Sequence, residues 1–357
     1  MVFVRRLILF AVILFVAGFM YAGGAGTTAA NFLRIGTGAK ASGMGEAQVA
    51  ISDNVDSVYW NPAGLALVKN TEISLMHLIY WQGISYEYAA IALPIKKIGT
   101  FGICFDYLSS GLIDKTTENA TGSDYTLDGS FSYLAFAGTI SYGNKFVIEK
   151  MPMNLGVSIK IVGDKIEDDL VLGAGLDIGM TSEIIKNGYF GAAINNIGVT
   201  FAKSALLPMQ LKVGGGYLLD IFGKDHLVLG AADAVFPFDS SIKLNAGAEY
   251  SFQKTFFIRV GYKINYDLEN LTAGAGFRIN IERTQFELNY SYTPGFEDIG
   301  TSHRISLLVR LGLPKPGDIS EPQELEEKVI EKFDDENVNT NNNNNLDQYK
   351  YVKPKKK

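Results

Sequence analysis

The stretch FFIRVGYKIN, Phe256 to Asn265, decides the reading of this chain. Phe256, Ile258, Val260, Tyr262 and Ile264 alternate with Phe257, Arg259, Gly261, Lys263 and Asn265. Side chains on a strand point to opposite faces in turn, so this order makes one apolar face and one face carrying charge. A helix would scatter both sets around its axis. The split recurs in Gln285 to Tyr292. There Phe286, Leu288, Tyr290 and Tyr292 share one face, and Gln285, Glu287, Asn289 and Ser291 the other. It recurs again in IKLNAGAEY from Ile242, LTAGAGFRINI from Leu271, NLGVSIKI from Asn154 and RISLLVRL from Arg304.

Working outward, about fourteen such segments run from Thr71 to Gly312. They start near Thr71, Ile84, Ile98, Gly129, Met153, Asp168, Gly188, Pro208, Leu227, Ile242, Thr255, Leu271, Thr284 and His303. Most are roughly ten residues long, which suits a tilted strand crossing a bilayer (about 9–11) better than a soluble strand (about 5–6). Connections alternate in length. Lys96-Lys97, Gln253-Lys254 and Glu282-Arg283 are short, while Ser109 to Asp128, Ile197 to Leu207 and Pro294 to Ser302 are long. Short turns on one side and longer loops on the other are the pattern of an outer-membrane barrel, and an even strand count returns both termini to the periplasmic side. Tyr80, Trp81, Phe236, Phe238, Tyr290 and Tyr292 lie near strand ends, as an interfacial aromatic girdle requires. A large soluble β-sandwich also alternates its faces. Strand length, loop asymmetry and the N-terminal leader weigh against it.

That leader has Arg5 and Arg6 before an apolar core from Leu7 to Met20, then small residues at Ala22 to Ala25. It reads as a secretory signal cleaved after Ala22 or Ala25, the alternative being an uncleaved anchor. The chain has one Cys among 357 residues, so an internal disulfide framework is excluded. The net charge of −6 leaves no basic footprint for nucleic acid. The expected organisation is a signal peptide over 1–22, an N-terminal segment over 23–70, a transmembrane barrel over 71–313, and a periplasmic tail over 314–357. In the tail, QELEEKVIEKF could form a helix with Leu325, Val329 and Phe333 on one face, while the Asn tract and terminal lysines read as disorder.

Before the first strand stands SVYWNPAGLALV, Ser57 to Val68. Asn61-Pro62 initiates a turn, Gly64 permits tight geometry, and Trp60 is a large anchor with one donor. Asp53 is placed to cap a short helix. A segment of this kind can fold back and plug a barrel lumen, which makes Trp60, Asn61, Pro62, Ala63 and Gly64 the candidate plug residues. With the apolar faces toward lipid, Lys243, Glu249, Arg259, Lys263, Arg278, Glu287 and Arg310 line the lumen, as do Lys160, Asp177, Lys212 and Arg304. They form either a network packing plug to wall or a polar track for an anionic head group or a peptide carboxylate.

The block NFLRIGTGAKASGMGEAQVAISDNVDSVYWNPAGLA, Asn31 to Ala66, resembles the N-terminal signature of PorV/PorQ outer-membrane proteins, a family similar to the FadL long-chain fatty acid transporters. The resemblance implies a fourteen-stranded barrel with an N-terminal hatch that includes Asn61 to Gly64. It implies a role accessory to protein secretion and surface attachment of a type IX kind, with secreted cargo and secretion-machine subunits as partners beside outer-membrane lipid. The FadL side implies instead import of long-chain fatty acids or other hydrophobic molecules. The chain departs from many outer-membrane barrels in running about 45 residues past Gly312.

No enzyme or cofactor is expected. GTGAKA, Gly36 to Ala41, matches a loose dinucleotide fingerprint but lacks a βαβ unit. His77, His226 and His303 are scattered and nominate no metal site. DKIEDD, Asp164 to Asp169, lacks the ligand spacing of a calcium loop.

Overall fold

The computed structural model describes residues 24, 26–119, 122, 124–148, 151–202, 204–221, 223, 225–296 and 299–314. The expected signal peptide, the helix around Leu325, Val329 and Phe333, and the remainder of the tail beyond 314 lie outside these residues.

Sixteen strands follow one another. They are β1 (Thr71–Ile79), β2 (Ser85–Ile95), β3 (Gly99–Ser109), β4 (Ile113–Glu118), β5 (Tyr125–Phe131), β6 (Tyr133–Ile148), β7 (Met151–Ile166) and β8 (Asp169–Ile185). Then come β9 (Gly188–Thr200), β10 (Gln210–Asp220), β11 (His226–Pro237), β12 (Lys243–Phe252), β13 (Phe256–Ile264), β14 (Leu271–Ile281), β15 (Thr284–Pro294) and β16 (Thr301–Leu311). Fourteen of them close into an antiparallel barrel, sealed where β1 pairs with β16 from Thr71↔Leu311 to Ile79↔His303. The fold is the all-β barrel of about fourteen strands that the periodicity predicts.

The opening stretch behaves as its period demands. Along β13 exposure alternates at every residue, with Phe256, Ile258, Val260 and Tyr262 outside and Phe257, Arg259, Gly261 and Lys263 buried. Outward side chains around the barrel are apolar and well exposed: Ile258 at 65%, Ile159 at 64%, Leu288 at 53%. Water does not tolerate so large a continuous apolar band, whereas lipid matches it, and a closed sheet leaves no unpaired backbone edge in that belt.

Three expectations are corrected. β6 starts at Tyr133 rather than Gly129, because residues 113–131 form a separate two-stranded hairpin, β4 with β5. Both of its faces are exposed, so it carries no apolar–polar period to read. β9 runs on to Thr200, and the following segment folds back on it, the Leu207 N–H donating to the Gly198 carbonyl at 2.9 Å. Trp81 is no girdle residue: it is buried at 5% exposure in the β1–β2 connection, while Tyr290 and Tyr292 do face outward. The loop asymmetry holds in the main. Connections on the side of Thr71 and Leu311 are two to five residues, and those on the other side are five or more, apart from the tight Glu167-Asp168 turn between β7 and β8.

Residues 30–68 pack against inward-pointing side chains. The short helix Ala39–Gly43 meets β13 to β16, and the 3-10 turn Pro62–Leu67 meets β3, β6, β7 and β8. On the β1, β2, β3, β6 side the contact is an apolar core of Val55, Val58, Leu65, Met76, Leu78, Tyr86 and Cys104.

Candidate functional site

The site is built from the inside of that barrel. The Asn-Pro-Ala-Gly knob sits on wall strands that carry glycine where it touches. A Cβ at 156 would lie 2.2 Å from the Pro62 carbonyl carbon, and one at 179 would lie 1.9 Å from Asn61 Oδ1. Pro62 and Ala63 can approach the wall backbone only because β7 and β8 have no side chain there. Asn61 is fully buried. Its Nδ2 donates to the Val49 carbonyl at 2.7 Å and to the Met180 carbonyl of β8 at 3.1 Å. Its Oδ1 accepts from the Ala63 N–H at 3.2 Å, capping the Pro62–Leu67 turn. One side chain therefore ties three pieces of chain together. Gly64 is needed because a Cβ there would meet the Ser52 carbonyl oxygen at 2.2 Å. Trp60 Nε1 donates to the Thr37 carbonyl at 3.1 Å, and its ring stacks edge-on with Tyr59.

The helix cap differs from expectation. The Ser57–Trp60 helix has Asp56 at its N-cap position without a side-chain cap bond, and Asn54 Oδ1 accepts from the Asp56 N–H instead. Asp53 is exposed and faces Lys40 at 3.7 Å. In GTGAKA, Gly36 has no Cβ because Glu46 and Trp60 occupy that space.

The inward charges come together as pairs across neighbouring strands. Arg259, 2% exposed, bonds Glu249 and Asn289 and stands 3.8 Å from Glu287. Glu287 also takes Arg278 at 2.7 Å and Arg310 at 3.0 Å. Arg310 reaches across the closure to Glu72 at 3.0 Å. Lys263 joins Glu269 and, at 3.1 Å, Glu46 of the N-terminal segment. Burial pushes the Glu46 carboxyl up, but Lys263 and Arg304 outweigh it and hold the group below its ordinary range. Lys160 and Asp177 pair at 2.9 Å, where Asn196 at positive φ makes a bulge in β9 and donates its N–H to Asp177. Lys243 takes no carboxylate among the described residues and lies over the Tyr266 ring at 4.4 Å.

Sequence reasoning missed three acids that hold the segment, Asp233 and Glu72 through its backbone and Asp239 through its side chains. Asp233 accepts from the N–H groups of Gln48 at 2.7 Å and Val49 at 2.9 Å. Glu72 accepts from the Val55 N–H at 2.8 Å, and Asp239 takes Thr28 Oγ1 at 2.6 Å together with Arg34. A lone acid on an inward face was the available signal, since an unpaired carboxylate there needs donors from elsewhere.

Two cavities flank residues 44–51 on the β10–β14 side. The one toward the short turns holds about 480 Å³, with an apolar wall of Ile51, Leu218, Leu227, Leu229 and Phe257 and charges of both signs at Lys40, Lys69, Lys254, Arg278, Asp53, Glu183 and Glu249. The other, toward the long loops, holds about 40 Å³ among Arg34, Tyr59, Trp60, Lys212, Lys243 and Tyr266.

No family model matches the chain, and no curated protein matches it. Solved structures do. The toluene transporter TbuX of Ralstonia pickettii superposes with a TM-score of 0.55 at 15% identity, over 77% of this chain and 98% of that one. The toluene transporter TodX of Pseudomonas putida gives 0.53 at 11% identity, over 80% and 97%. The CymD monoaromatic hydrocarbon channel gives 0.51 at 11%, over 78% and 98%. At such identities the likeness is one of fold alone.

Proposed function

We propose that this chain is an outer-membrane barrel that passes hydrophobic small molecules, with residues 30–68 as the plug of its lumen. The observation that carries the reading is the 480 Å³ cavity on the β10–β14 side, apolar on one wall and charged with both signs on the other. A pore for hydrated ions has no use for Leu218, Leu227 and Leu229 on the side of the barrel where buried charges are concentrated. An apolar or amphipathic solute does. The apolar outer belt supports placement in a membrane, and the fold shared with toluene transporters supports the solute class.

The test is uptake of radiolabelled toluene into vesicles carrying the purified protein, with glucose as the polar control. Leu229→Trp, which enlarges a side chain on the wall of this cavity, should lower toluene entry several-fold, with heat-modifiable gel mobility reporting that the barrel is folded. Equal entry with and without the protein would sink the proposal.

The secretion role implied by the PorV/PorQ resemblance rests on the Asn31 to Ala66 block alone. Gentle extraction from the native membrane followed by mass spectrometry separates the two readings. Stoichiometric hydrophobic compounds favour passage, and secreted proteins sharing one C-terminal domain favour export.

A further inference from the structure

We infer that the barrel also holds a compact oxyanion site, for a carboxylate or phosphate group, between Tyr59-Trp60 and strands β10 to β12. Lys212 projects from β10 into the smaller cavity and is 6% exposed. Its ammonium has neither a carboxylate nor a hydrogen-bond partner among the described residues, and lies 4.8 Å from the Trp60 ring and 5.7 Å from Tyr59. Aromatic faces stabilise a cation only in part and leave its hydrogen-bonding capacity unused.

The contrast with the other buried cations is sharp. Lys160, Arg259, Lys263, Arg278, Arg304 and Arg310 each have a carboxylate oxygen within 4 Å. Lys212 and Lys243, which line the same cavity, do not. Glu46 is the one acid on that cavity, and its oxygens face Lys263 at 3.1 Å and Arg304 at 3.9 Å. Arg34 Nε is a further buried donor left without a partner at the same place. Two ammonium groups and a spare guanidinium N–H therefore converge on space that no protein anion fills. A buried ammonium gains most from a partner that supplies both acceptors and opposite charge, which is an anion.

Size narrows the class. The free volume is about 40 Å³, and one water needs roughly 10–15 Å³ on this measure. The free space has the scale of a carboxylate or phosphate group. The inference stands apart from hydrocarbon passage, since a neutral solute supplies no charge to Lys212 and an anion can bind without crossing.

The chain has two tryptophans, so Trp81→Phe leaves Trp60 as the reporter, beside the ammonium. The full-length variant in detergent is titrated with sodium acetate, sodium phosphate or toluene at constant ionic strength set with chloride. A saturable change in Trp60 emission with acetate or phosphate is expected, and the better of the two names the group. Lys212→Met should weaken it at least tenfold and Lys212→Arg should keep it. Lys243→Met carries the comparison if the first variant fails to fold, as judged by heat-modifiable gel mobility. No saturable response to either anion, an undiminished response in the Met variants, or an equal response to toluene would each overturn the site. Toluene entry into vesicles is read separately, so loss of one result leaves the other standing.

Discussion

At the residue scale, the contact between Asn-Pro-Ala-Gly and the glycine-bearing wall is steric before it is anything else. Gly156→Ala places a methyl against the Pro62 backbone at 2.2 Å, and backbone cannot rotate out of the way as a side chain can. Overpacking of this kind costs about 1–3 kcal/mol. The expected outcome is a lower temperature for the heat-induced gel shift, with Gly230→Ala as the matched control, because a Cβ at 230 meets nothing within 4 Å. Asn61 adds the polar half of the same anchor. Replacing Trp60 and Asn61 together with Ala removes the bonds to Thr37, Val49 and Met180. Conductance in planar bilayers should rise, and unchanged conductance would mean that this stretch closes nothing. Asn-Pro, Gly64 and Trp60 were legible as a stiff knob from local turn chemistry. Its glycine seat was not, since Gly143, Gly156 and Gly179 look in the sequence like ordinary weak points of three separate strands.

At the element scale, alternation within each strand made the inward faces readable, and strand pairing then decided which charges meet. Glu287 is 1% exposed and serves three arginines from β13, β14 and β16. Glu287→Gln leaves those cations short of one carboxylate inside the barrel, and uncompensated buried charge costs about 3–5 kcal/mol. It should weaken urea resistance far more than Lys115→Gln does, whose partner Glu167 is exposed on the β7–β8 turn. The β11–β12 loop acts on the N-terminal segment through Asp239. Burial raises its carboxyl, but hydrogen bonds from Arg34 and Thr28 prevail and hold it below the ordinary carboxylate range. A depressed value means the stabilisation is complete above the unfolded-state value and is lost as pH falls through the folded-state one. Protection of residues 28–34 from hydrogen exchange, relative to the intrinsic rate at each pH, should therefore be full at neutral pH and fall in acid below the usual carboxylate range. Asp239→Asn should lack it at neutral pH. No change between the two proteins at neutral pH would remove Asp239 from this role.

At the scale of the whole molecule, the lumen is filled unevenly. An apolar core joins residues 32–68 to β1, β2, β3 and β6, while ion pairs and two cavities occupy the β10–β16 side. Apolar packing resists small displacements more uniformly than ion pairs that water can compete for, so any opening belongs on the charged side. A disulfide tests this in two places. A crosslink from residue 48 to residue 233, which are already joined by a hydrogen bond, should slow toluene entry. One from residue 58 to residue 102, in contact on the apolar side, should leave entry unchanged. Equal effects would mean that the plug moves as one body.

The approximate number of barrel strands and the inward or outward sense of Arg259, Lys263 and Glu287 were legible in the sequence alone. Each rests on a period of two that is complete within ten residues and needs no partner. Only the tertiary structure decided that Glu72 meets Arg310 across 238 residues, that Glu46 answers Lys263, and that Lys212 is left without an anion. Those pairings depend on the register of closure and on a chain folded back inside the sheet, and neither distance is written in any local stretch.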